Sequence, residues 1–176
     1  MGCDIHAFVE YKENYEEDSY WRAFSDEISL GRNYFMFGCL TNGHVRYRIR
    51  LKSGIDPKGL PSGVSWEVND SNTLYISDDG EGGREVTMKT ALKWAKEHNK
   101  KFIYDSQKSP IRIENPDYHT HSWLTVSEYE AIVKEAQKIS KKKDEGVNVM
   151  YLIILDLMKS MLKRGIETRL VFWFDN

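Results

Sequence analysis

Both ends of this chain read as strands. "CDIHAFVEY" at residues 3–11 alternates along a run rich in apolar and aromatic side chains. "ETRLVFWFDN" at residues 167–176 is a second strand, with two apolar faces. A period of two places alternate side chains on one face of a sheet. The two terminal strands are therefore expected close together in one sheet, with the rest of the chain between them.

That middle reads as short strands and helices in turn. Residues 12–19, "KENYEEDS", form a charged turn, and a short strand follows around Tyr20 to Phe24. "RNYFMFGCL" at residues 32–40 is predicted helical, ending near "TNG". "HVRYRIRL" at residues 44–51 alternates strictly and reads as a strand or hairpin arm. "GIDPKGLPSG" at residues 54–63 is loop, since Pro and Gly interrupt regular structure. "VSWEV" and "TLYIS" read as two short strands turning through "NDSN", and "DDGEGG" at residues 78–83 as a flexible loop. Residues 84–98 are predicted to form an amphipathic helix with Val86, Ala91, Leu92, Trp94 and Ala95 on its apolar side. "FIYD" is a short strand. Thr125 and Glu128 have the spacing of a capping box and start a helix through about Lys142. "KKKDEG" breaks it from a helix over residues 147–164 that Gly165 terminates. The order predicts a single α+β domain over residues 1–176, with a mainly antiparallel sheet and packed helices.

A chain of 176 residues is long enough to bury a real core. Its formal net charge of -2 supplies no global field toward nucleic acid or membrane, so any anion site is local. The two cysteines, Cys3 and Cys39, have no Cys-x-x-Cys spacing. Free thiols point to a reducing compartment. No secretory signal is expected. Met1-Gly2-Cys3 does not extend to a myristoylation pattern, because position 6 is His. The run "VMYLIIL" is too short to span a bilayer. The expectation is a cytoplasmic protein with no membrane partner and no sequence-specific nucleic-acid partner. A homo-oligomer is compatible with the sequence.

Five histidines are present, and three fall in patterns. Residues two apart on an extended segment share a face. Asp4 and His6 then project together, and so do His119 and His121. If the two segments meet, one carboxylate and three imidazoles result. Asp4, His6, His119 and His121 would suit zinc or a similar divalent ion. They would equally suit metal-free proton transfer, with Asp4 fixing a tautomer. The plainer alternative is two unrelated pairs on surface turns.

Arg46, Arg48, Arg50 and Lys52 would lie on one side of the predicted strand over residues 44–51. Guanidinium pairs well with phosphate oxygens; a solvated or edge-guarding face is the alternative. Arg32 and Tyr34 would line a pocket for phosphate and base, or serve as exposed cation and core ring. Ser122 lacks the surroundings of a nucleophile elbow. Trp123 reads as a packing anchor beneath the histidines, and Cys3 as a buried thiol. Asp175 and Asn176 join the site if the terminal strand reaches it. No phosphate-binding loop, dinucleotide fingerprint or zinc finger is present.

"MGCDIH", "RNYxxF" at Arg32 to Phe37, "GLP" at Gly59 to Pro61, "HTHSWLT" and the closing "FDN" resemble a group of small proteins encoded by bacteriophages and bacteria. The resemblance implies a bacterial cytoplasm. It singles out Asp4, His6, Arg32, Tyr34, His119, His121, Ser122 and Trp123. The segment "HVRYRIRLK" departs from that group's shorter "VR" element. In a phage setting, removal of a host nucleotide signal is the expected task, by cleavage or by sequestration. The leading expectation is a phosphodiesterase-type hydrolase of a small phosphorylated or nucleotide ligand. A non-catalytic nucleotide sponge is the alternative. An adaptor that blocks a host protein is a third reading, which an apolar surface patch would favour.

Overall fold

The computed structural model describes residues 2–12, 20–80, 82–140 and 146–175. The two terminal strands pair as expected. β1 (Ile5–Lys12) runs antiparallel to the last strand, β8 (Glu167–Phe174), in register from Ile5 opposite Phe174 to Lys12 opposite Glu167. β2 (Arg22–Ala23) flanks β1, and β7 (His119–Thr125) flanks β8, giving the order β2-β1-β8-β7.

Alternation sorts the side chains of this sheet between two apolar layers. Ile5, Ala7, Val9, Leu170, Phe172 and Phe174 enter the main core. There they meet α1 (Tyr34–Leu40), α4 (Val126–Ser140) and α5 (Val149–Lys163). On the other face, Phe8, Val171 and Trp173 pack with Val68, Leu60, Val64, Tyr118 and Trp123. A strand covered on both faces reads as a continuous apolar run, which explains "LVFWF". Each such side chain contributes about 1.5–3 kcal/mol on full burial.

A second sheet has the order β4-β3-β6-β5. Its strands are β3 (Thr73–Ile76), β4 (Glu85–Val86), β5 (Phe102–Tyr104) and β6 (Pro110–Glu114). Only the β3–β4 pair is parallel among the described strands. α3 (Met88–Glu97) closes one face through Ala91, with Trp94 and Ala95 against Ile113 and Phe102.

Several local expectations are corrected. "VSWEV" is not a strand: Ser65 caps α2 (Trp66–Ser71), its hydroxyl accepting from the Val68 amide. Capping outweighed a short apolar alternation. Residues 44–51 form no strand, and Arg46 takes a positive φ of 58°. Only Val45 and Leu51 in that stretch are buried, and the alternation has no neighbouring strand to satisfy it. The predicted helix over residues 84–98 begins only at Met88, after β4. β6 was not anticipated, because "PIRIE" opens on a proline. The capping box holds: the Thr125 amide donates to Glu128 Oε2 at 2.8 Å, and the Glu128 amide donates to Thr125 Oγ1 at 3.3 Å. The charged turn lies outside the described residues from position 13 to 19, as do most of the "KKKDEG" break, Glu81 and Asn176. No helix among the described residues is long and apolar enough to cross a membrane.

Candidate functional site

The start of the chain explains itself residue by residue. Cys3 and Ile5 turn into the main core, while Asp4 and His6 turn to the other side, Asp4 half-exposed and His6 against Tyr118 and Trp173. Asp4 takes the Arg32 guanidinium by two bonds, Nε to Oδ1 at 2.6 Å and Nη2 to Oδ2 at 2.7 Å. That guanidinium lies where a side chain on residue 2 would stand, with Nη1 2.8 Å from the position of a Cβ on Gly2. Glycine there leaves the fork its place.

The β1–β8 register carries Asp175 past Phe174 to the same point. Its Oδ1 accepts from the Asp4 amide at 2.9 Å, and its Oδ2 lies 3.2 Å from His6 Nε2. Glu27 holds the other ring nitrogen, Nδ1, at 3.0 Å. A carboxylate only accepts hydrogen bonds, so an imidazole held by two of them carries both protons. Burial disfavours the charge, but Glu27 and Asp175 outweigh it, and the His6 pKa stands above the ordinary imidazole value. Arg32 likewise holds the Asp4 carboxyl below the usual range.

His119 and His121 do not share a face. Thr120 takes a φ of 53°, a strained conformation for a β-branched residue. His119 pairs with Phe174 and Ser122 with Phe172, so Thr120 and His121 together face Trp173 in a β-bulge. The bulge turns His119 toward Phe174, centroids 6.2 Å apart, on the core side. His121 instead stacks on Trp173 at 5.9 Å. His6 stacks on the same indole at 5.6 Å, from the opposite neighbouring strand. The convergence is thus His6 with His121 across Trp173, and His119 is excluded from it.

His121 sits where the two sheets adjoin. Its Nε2 lies 2.6 Å from Oδ1 of buried Asn72, the residue that ends α2. Nδ1 makes no hydrogen bond among the described residues. Burial, and then the positive charge of Lys100, push the His121 pKa down to about 4. It is a neutral imidazole at pH 7, with Nε2–H donating to Asn72 and Nδ1 able to accept a proton.

The remaining expected positions divide. Ser122 is 1% exposed, and its Oγ accepts from the Lys58 amide, so it is closed to a ligand. Trp123 is an anchor, with Lys58 Nζ 3.6 Å above its ring. Arg46 lies over the Tyr34 ring at 5.2 Å and belongs to no cationic stripe. Arg32, Tyr34 and Tyr47 line a cleft of about 360 Å³. Asp4 and Glu27 line a smaller one of about 200 Å³. Burial raises the Cys3 thiol pKa, leaving it a core residue. Among the described residues no three His, Cys, Asp or Glu side chains are grouped to hold a metal ion, and the proposed set of Asp4, His6, His119 and His121 is split by the bulge. Glu27 has no sequence signal that marks it; only the fold brings it to His6.

No protein-family model matches this chain, and no curated protein or solved structure matches it at a significant level.

A titration followed by NMR separates the two imidazoles. His121 is expected to protonate near pH 4, and His6 above the ordinary imidazole value. Coincident midpoints near 6.5 would remove the asymmetry.

Proposed function

We propose that this protein is a hydrolase of small phosphorylated substrates, of phosphodiesterase type, acting on a nucleotide signal in a bacterial cytoplasm. One observation carries the reading. Two imidazoles flank one indole from opposite neighbouring strands, and their surroundings drive their proton affinities apart. Groups separated in this way divide naturally into acid and base. In the hydrolytic step His121 Nδ1 takes a proton from water as the water oxygen bonds to phosphorus. His6 Nε2–H gives its proton to the leaving oxygen as the old phosphorus–oxygen bond breaks. The leaving oxygen takes the place of Asp175 at Nε2. Arg32 offsets charge on the phosphoryl group, in competition with Asp4.

The scheme uses no metal: both His6 nitrogens are held by carboxylates, and among the described residues the other donors do not gather. Incubation with a panel of cyclic mononucleotides and cyclic dinucleotides is expected to yield a linear product, with or without chelator. Loss of turnover on chelation would refute the metal-free scheme. Failure of the whole panel would refute the substrate class.

A sequestering role has its own support. The cleft bearing Arg32 and Tyr34 has no histidine in its wall and is equipped to hold phosphate and base without chemistry. Ligand recovered intact after heat denaturation would favour that reading.

A further inference from the structure

Another cleft lies at the far end of β1. Tyr11, five residues beyond His6, stands about 16 Å from it along the strand. The cleft has a volume of about 430 Å³ and is lined by Tyr11, Tyr20, Trp21, Arg22, Ala23, Trp66 and Glu67. Small-ligand sites are commonly 300–1,000 Å³ and aromatic-walled, with few polar groups.

Its rings are left open in an unusual way. Trp66 is 64% exposed and Tyr20 63%. Yet the rings are braced by cations. Arg169, buried and ion-paired to Glu10, lies 3.8 Å from the Trp21 ring. Arg22 donates to the Tyr20 hydroxyl at 3.1 Å and stands 4.7 Å from that ring. Arg112 approaches Trp66 at 6.0 Å. Solvent-facing rings on a fixed support present ready surfaces for stacking.

We propose that this cleft binds a nucleoside monophosphate, its base stacked on Trp66 and Tyr20, its phosphate on Arg22, and its base edge on Glu67. The charges are complementary. Among the described residues the wall offers one cation and one carboxylate, and the ligand offers an anionic phosphate and N–H donors on its base. Guanine, which carries adjacent ring and exocyclic N–H groups, is the base that satisfies a carboxylate with two bonds. The site is independent of the imidazole pair.

Equilibrium dialysis of the full chain with GMP, AMP, UMP and cellobiose tests it. GMP is expected to bind most tightly. Trp66→Ala is expected to weaken GMP by about tenfold or more. Glu67→Gln is expected to erase the preference for GMP over AMP, and His121→Ala to leave GMP binding unchanged. Trp66 is mostly in solvent, so an unchanged circular dichroism spectrum is expected for its variant. Equal GMP affinity in wild type and Trp66→Ala overturns the proposal. So does binding of cellobiose without nucleotides, or no binding of any of the four. A loss of GMP binding in His121→Ala would place the nucleotide at the other site instead.

Discussion

His121→Ala is expected to lower turnover of a cleavable nucleotide by about 100- to 10,000-fold, the usual contribution of a positioned acid or base. The fold should survive, because the β7–β8 ladder on both sides of the bulge uses backbone groups. The pH profile supplies the readout that a structural role would not move. His121 must be neutral to accept a proton, which holds above about pH 4. His6 must be protonated to donate one, which holds below its raised pKa. Activity should therefore plateau from above pH 4 to beyond the ordinary imidazole value and fall on both sides. His121→Ala should abolish the acid limb, and His6→Gln the alkaline limb, of whatever residual rate remains. Unchanged turnover in both variants would end the acid–base assignment.

Stability links to the same pair with opposite signs. The His6 pKa is raised on folding, so its contribution is fully present below about pH 6.5 and is lost as pH rises through the folded value. The His121 pKa is lowered. Between about 6.5 and 4 the unfolded chain takes up a proton that the folded imidazole refuses, so stability falls with acidification. From an unfolded value of about 6.5 to about 4 the loss is about 3 kcal/mol.

Period-two patterns were legible in the two terminal strands, which pair with each other. "CDIHAFVEY" and "RLVFWF" announced both faces of the first sheet, and their antiparallel pairing implies that Asp175 returns to Asp4. The same pattern in "HVRYRIRL" was misleading, because no strand among the described residues pairs with it. The positive φ of Thr120 was invisible, since propensity gives no reason for a β-branched residue to adopt it. That single residue decides which histidines meet. Glu27 was illegible for another reason: it lies outside helix and strand, and only tertiary contact gives it a role.

Breaking the Glu10–Arg169 pair should produce the largest loss of stability. Glu10 is 0% exposed and Arg169 5%, and they face each other across β1 and β8 at 2.6 Å. Around them, the Ser65 amide donates to Glu10 Oε1 and Arg169 donates to the Gly63 carbonyl at 3.2 Å. The pair thus ties the loop before α2 to the sheet and braces Trp21. Arg169→Ala leaves a carboxylate in the interior without its countercharge, at a cost of about 3–5 kcal/mol. Glu10→Ala strands the guanidinium at similar cost. The double change Glu10→Leu with Arg169→Leu removes both charges and fills the space with apolar groups. Its loss should be well below the sum of the single losses, since each single change already forfeits the same interaction. Urea midpoints of the three variants measure this. Additive losses would mean that the two charges are independently solvated, and that the loop is held by packing of Val64 and Val68 alone.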